Sequence, residues 1–130
     1  GDGITSIIRD KYSEQFGTRM DWRRNKFCWL ATTKPLDDFE FIFRKNEHGW
    51  WWAHAYRYEA GMTTWIVETS TETWAAAGLG EDNEKDTQAY CEELFKEDLG
   101  GHPLITNRSI WRTFPVVSNK RLSYKNYNNY

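Results

Sequence analysis

At 130 residues the chain has the size of one domain, with room for a single core. A net charge of −2 argues against a general nucleic-acid binder, and two widely separated cysteines, Cys28 and Cys91, give neither a disulfide framework nor a zinc site. Aromatic residues make up 17% of the chain, so rings build the core and some of them are expected to face a ligand or a partner.

The chain starts on an Asp-Gly turn, and the spacing D-G-x-x-S-x-x-R runs through Asp2, Gly3, Ser6 and Arg9. Gly3 allows a tight turn, a helix N-terminus offers N–H groups, and Arg9 supplies a cation, which together suit a dinucleotide phosphate. Ordinary turn-and-cap chemistry explains the same residues, and both readings stand. A helix is expected over 6–16, with Ser6 as N-cap and Gly17 as the stop. The basic stretch that follows holds Arg19, Arg23, Arg24 and Lys26, either a solvated loop or strand edge or a phosphate contact.

The centre is an antiparallel meander. "KFCWLATTK" is a strand ending before Pro35, and in "FEFIFRKN" Phe39, Phe41 and Phe43 alternate with Glu40, Ile42 and Arg44. "NEHG" turns the chain into "WWWAHAYRYE", and "AGM" turns it again into "TTWIVET". In the long strand Trp50, Trp52, His54 and Tyr56 share one face, and Trp51, Ala53, Ala55 and Arg57 share the other. Such a sheet is expected to carry helix on the small-residue face and a pocket on the even face. A register shift of one residue would exchange the two.

Two helices follow, "STETWAAAGL" behind a Ser cap and "DNEKDTQAYCEELFKEDLGG", with Ala89, Leu94 and Phe95 expected inward. "SIWRTFPVV" is read as a strand, with Pro115 at an edge or bulge. The polar tail "NKRLSYKNYNNY" is read as a fraying strand or disorder. His48, His54 and His102 lie on separate elements, so no metal site is expected. No nucleophile elbow, P-loop or G-x-G-x-x-G is present. Neither a run of about 20 apolar residues nor a signal peptide is seen, and the default location is the cytoplasm.

"DGITSIIR" resembles the Asp-Gly fingerprint of the single-component FAD-dependent aromatic hydroxylases, the para-hydroxybenzoate-hydroxylase-like flavoproteins. "NKFCWLATTK", "EHGWWWAHAYRY", "TWIVETSTETWAAAGL" and "LGGHPLITNRSIWRTFPVV" are similar, more narrowly, to salicylyl-CoA 5-hydroxylase and 2-aminobenzoyl-CoA monooxygenase. The resemblance implies the substrate domain of that fold, α+β, with a mostly antiparallel sheet of about five to seven strands and flanking helices. It further implies three parts: residues 1–16 connecting from the FAD domain, 17–118 binding substrate, and 119–130 returning. The family's chemistry is ring hydroxylation through a flavin C4a-hydroperoxide, with NAD(P)H reducing FAD. By that resemblance Asp2, Gly3, Ser6 and Arg9 map onto the cofactor motif, and Trp52, His54, Tyr56, Thr64 and Ile66 onto the ring pocket. Arg23, Arg24 and Lys26 become contacts for the phosphates of an aromatic acyl-CoA, or another aromatic small molecule takes the site. The remainder of an FAD domain is the implied partner. The chain alone is expected to be an inactive domain fragment that holds no FAD. The rival expectation is an aromatic-rich sheet module that binds a planar ligand or self-associates through its exposed rings.

Overall fold

The computed structural model describes residues 2–106 and 108–121. The chain divides into two compact units, one from residues 2–23 with 114–121 and the other from residues 24–113. Among the described residues, no helix is long and apolar enough to cross a membrane.

In the first unit a 3-10 turn, Gly3–Thr5, leads into α1 (Ile7–Lys11) and α2 (Ser13–Phe16). The single helix expected over 6–16 is therefore two short ones, meeting at Tyr12, which caps the end of one and the start of the next. Gly17 ends α2 in the left-handed conformation, as its position suggests. Strand β1 (Thr18–Trp22) then pairs antiparallel with the last strand, β7 (Pro115–Asn119), from Thr18↔Asn119 to Trp22↔Pro115. Pro115 stands first in its strand, where its missing N–H leaves no ladder bond unmade. The ladder is extended at one end by Arg23 N–H donating to Phe114 O at 3.1 Å, and at the other by Lys120 and Arg121 N–H donating to Phe16 O.

The second unit holds β2 (Lys26–Thr32), β3 (Glu40–Asn46), β4 (Gly49–Glu59), β5 (Met62–Thr69), α3 (Thr71–Ala76), α4 (Glu84–Leu94), α5 (Lys96–Leu99) and β6 (Leu104–Thr106). Its sheet runs β3-β4-β5-β2-β6 with every neighbour antiparallel. The mixed α/β class with a mostly antiparallel sheet is as expected: five strands here and two in the first unit. Both turns of the meander fall where read, Glu47-His48 between β3 and β4 and Ala60-Gly61 between β4 and β5. Gly49 closes the first turn at φ 139°, and a Cβ there would sit 2.3 Å from Thr73 Oγ1, so both backbone and space demand glycine.

One face of this sheet is the core. Cys28 and Leu30 of β2, Ile42 of β3, Trp51, Ala53 and Ala55 of β4, and Trp65 and Val67 of β5 all point there. Cys91 of α4, Phe95 and Leu99 close over them. Small Ala53 and Ala55 leave room for Trp51 to meet Tyr90 at 5.1 Å, and Trp65 meets Phe95 edge-on at 5.8 Å. Each large side chain so buried contributes about 1.5–3 kcal/mol. Helix α3 starts at Ser70, whose Oγ accepts from Thr73 N–H, and α4 starts at Asn83, which caps Asp86 N–H.

Three expectations are corrected. Ala89 is exposed: α4 buries Thr87 and Cys91, and position 89 falls between them on the opposite side of the turn. The helix read through to the Gly-Gly stop is broken at Phe95, which caps α4 and is itself buried. Residues 109–114 are not a regular strand: Arg112 forms one isolated bridge with Phe27, and the strand proper starts at Pro115. The tail beyond residue 121 lies outside the described residues.

Both cysteines are free and fully buried. Burial pushes the Cys28 thiol from 9.0 up to about 12, with Glu84 adding to the rise. The folded state thus holds this proton more tightly than the unfolded chain. Its contribution is fully present below pH 9 and lost as pH rises toward 12. Denaturation midpoints measured from pH 8 to 11 should fall more steeply for the wild type than for Cys28→Ala, and parallel slopes would contradict this.

Candidate functional site

The opposite face of the same sheet is where the remaining rings collect. Strand pairing lays them in rows across four strands. Phe41, His54, Ile66 and Trp29 form one row, and Phe43, Trp52, Glu68 and Phe27 the next. Tyr56, Thr64 and Ala31 form a third, capped by Phe39, whose ring stacks on Tyr56 at 5.5 Å and 7°. Phe41 packs against His54 at 4.8 Å and against Phe39 at 4.9 Å. The period-2 alternation that buries Trp51 and Trp65 sends these side chains the other way.

Among the described residues, no helix of this unit covers the face. Phe39, Phe41, Phe43 and Trp29 are exposed, Phe41 at 58%, while Trp52, His54, Tyr56, Thr64 and Ile66 are half-buried among them. The five residues read from sequence as a ring pocket therefore do lie together, on the even face and in the expected register. A flat apolar floor of this kind offers a planar ring stacking and edge contacts worth about 0.5–1.5 kcal/mol per aromatic pair beyond the area it buries.

One side chain on this face was not singled out from the sequence. Glu68 is only 8% exposed, yet its carboxylate stands among rings. Trp52 Nε1–H donates to its Oε2 at 2.7 Å and Asn25 Nδ2–H to its Oε1 at 2.6 Å. His54 Nε2 lies 3.4 Å from the same Oε2. A carboxylate costs several kcal/mol to desolvate, and the Trp52 and Asn25 donors offset it. The sequence signal was available: Glu68 is the one charged residue of β5, in phase with Thr64 and Ile66.

The basic residues meet different fates. Lys26 is buried, its ammonium 2.5 Å from Glu81 and 4.6 Å over the Trp74 ring, so its charge is already engaged within the domain. Arg23 belongs to the first unit, beside Asp21 at 3.7 Å, whereas Arg24 is an exposed residue of the second. His48 sits 3.4 Å from Glu47, and His102 bonds Thr33 at 2.9 Å, both away from the aromatic face.

The Asp-Gly segment can be tested against a dinucleotide by its own bonds. Asp2 Oδ2 accepts from Ile7 N–H at 2.9 Å, which holds the carboxyl below its usual range, and Ser6 Oγ accepts from Arg9 N–H at 3.2 Å. Arg9 folds back to donate to the carbonyls of Gly3 and Ile4. The Ile7 and Arg9 N–H groups and the Arg9 guanidinium are thus bonded inside the segment, and within it Arg9 Nε is buried without a partner among the described residues. A Cβ on Gly3 would meet nothing within 4 Å, so no tight cradle surrounds it.

No family model matches the chain. Curated proteins do. Salicyloyl-CoA 5-hydroxylase of a Streptomyces species is 37% identical over 122 residues, 87% of this chain and 23% of that protein. Protodeoxyviolaceinate monooxygenase of Chromobacterium violaceum is 37% identical over 111 residues, 85% of this chain and 30% of that protein. The 3-hydroxy-4-methyl-anthranilyl-(aryl-carrier protein) 5-monooxygenase of Streptosporangium sibiricum is 28% identical over 125 residues, 96% of this chain and 32% of that protein. The chain spans between about a quarter and a third of the length of these relatives. The resemblance read from the sequence is thereby borne out, and the chain is a homologue of one segment of each of these proteins, a hydroxylase and two monooxygenases by name.

Proposed function

We propose that this chain is the substrate-binding segment of an FAD- and NAD(P)H-dependent aromatic hydroxylase, and that the open face of its five-stranded sheet holds the substrate ring. The observation that carries the reading is the uncovered floor of Phe41, Trp52, His54, Tyr56, Thr64 and Ile66, in a chain homologous to ring monooxygenases. Bound FAD would supply the oxygen chemistry. The segment's own residues do the rest: rings orient the substrate, and apolar walls exclude water from it. Because the Asp-Gly segment bonds to itself, most contacts to FAD and NAD(P)H belong to an FAD domain that this chain partners. The exposed side chains of Ile4, Ile7, Ile8 and Trp22 suit such docking.

The substrate is proposed to be an aryl thioester of CoA, in keeping with the name of one relative. Arg24 is the basic residue of this unit proposed for its phosphates, Lys26 being held by Glu81. A cytoplasmic location suits two free thiols, which stay reduced there.

Titration of the 130-residue chain with benzoyl-CoA, followed by tryptophan fluorescence, tests the reading. Saturable quenching is expected, lost at least tenfold in Ile66→Arg, which puts a charge into the floor. Arg24→Glu should weaken benzoyl-CoA but leave benzoate unchanged. Absence of quenching, together with a concentration-dependent dimer that Ile66→Arg dissociates, would instead establish the face as a surface for a second copy.

A further inference from the structure

The aromatic face carries a polar device whose arrangement a flat stacking surface does not require. Strand β5 places Thr64, Ile66 and Glu68 on the open side, and an aliphatic residue at position 68 would continue the floor. In its place stands a nearly buried carboxylate, fixed by Trp52 and Asn25, with an imidazole nitrogen 3.4 Å away. Resting on the ring-binding role of this face, we infer that His54 is the residue that accepts the O–H or N–H hydrogen of the bound ring, and that Glu68 is its positioning residue.

The geometry gives each nitrogen of His54 a different task. A carboxylate beside Nε2 favours the tautomer with its proton on Nε2, and Nδ1 is then a lone-pair acceptor. Among the described residues no hydrogen bond engages Nδ1. His54 stands in the row between Phe41 and Ile66, so a ring lying on that row brings a substituent to the imidazole edge. With a phenol, the O–H proton passes to Nδ1; the ring is left as phenolate and the resulting imidazolium faces the Glu68 carboxylate. No other species is consumed, and the ring becomes more electron-rich. With an aniline or indole N–H the same nitrogen accepts a hydrogen bond without taking the proton.

The flanking strands turn Phe39, Phe41 and Phe43, Thr64 and Ile66, and Phe27, Trp29 and Ala31 toward this side. Trp52 and Tyr56 stand on either side of His54 on its own strand. Glu68 is therefore the charged group that His54 faces among the described residues of these strands. Its carboxylate lies against the Nε2 edge of the imidazole, opposite the Nδ1 edge that meets the substituent.

Spectrophotometric titration of 4-nitrophenol with the 130-residue chain tests the assignment, because the phenolate absorbs in the visible and ionisation is read directly. The bound phenol is expected to ionise about one pH unit lower than the free one. His54→Gln should abolish that shift and weaken 4-nitrophenol about tenfold, a loss of the size expected for one hydrogen bond to a charged group. It should leave 4-nitroanisole, which has the ring but no O–H, within about threefold of wild type. Glu68→Gln, read where circular dichroism shows it folded, should reduce the shift while 4-nitroanisole still binds. If both compounds bind equally well to wild type and His54→Gln with no ionisation shift, the role of His54 is overturned and the ring-binding face stands. If neither compound binds the wild type, the ring-binding reading falls and this inference with it.

Discussion

Trp51→Ala is expected to destabilise the second unit by about 3–5 kcal/mol. The indole is fully buried, packs on Tyr90 at 5.1 Å and on Trp111 at 6.2 Å, and donates through Nε1 to Asn46 Oδ1 at 3.1 Å. Truncation leaves a cavity between sheet and helix α4, and also removes the donor that engages Asn46. Trp50→Ala is the matched control. Its ring is 54% exposed against 0% for Trp51, so its loss should change stability by less than about 1 kcal/mol. Urea midpoints at constant slope are the measurement. Equal costs at the two positions, or the reverse order, would show that β4 is paired one residue out of register and that the aromatic face is on the other side.

Glu68→Leu carries the second large effect, through two donors rather than a cavity. The leucine suits an apolar strand but leaves Trp52 Nε1–H and Asn25 Nδ2–H facing a methyl group. Each donor deprived of its partner costs about 1–3 kcal/mol when water cannot replace it. Both donors here retain some access to solvent, so a total of about 2–3 kcal/mol is expected. Trp52→Phe in the Glu68→Leu background should recover part of the loss, because it removes one of the unpaired donors. If Glu68→Leu is neutral or stabilising, the carboxylate is not held by these bonds, and its control over His54 has no basis. The double variant separates this from a simple packing fault, which Trp52→Phe would worsen.

How far the sequence revealed this arrangement follows from which elements have one buried side. The meander β3-β4-β5 was legible because half-buried strands write a period of 2 into the chain, and the two-residue turns carry Gly49 and Gly61. The five ring-floor residues came with it, since alternation from Trp51, Ala53 and Ala55 leaves no other side for Trp52, His54 and Tyr56. Strand β1 was invisible as a strand because none of its residues is buried, so Arg19, Asp21 and Trp22 show no alternation. Strand β6 has three residues, too few to establish a period. Ala89 misled because alanine suits either side of a helix, and only the positions of Thr87 and Cys91 fix the buried stripe. Glu68 was passed over because an acidic residue in a strand ordinarily marks the solvent side. Here its partners come from Asn25 and Trp52, remote in sequence, and no local pattern encodes them. For the Asp-Gly segment the residue types were clear, but their internal bonding was not: Asp2 and Ser6 side chains accept from N–H groups of the first helix.

The pairing of β1 with β7 has a topological consequence. Trp22 lies opposite Pro115, and Arg23 N–H meets Phe114 O, so the chain departs toward the five-stranded sheet and comes back at neighbouring points of one ladder. Everything from Arg24 to Thr113 is a closed loop clasped at its neck. Once that clasp forms, the conformational freedom of the long excursion is reduced before any of its own contacts are made, and the cost of closing a loop grows only as the logarithm of its length. Such a loop can lengthen, shorten or be exchanged for another without altering the strands that clasp it. One neck can thus present differently shaped aromatic faces while the strands that form it stay the same.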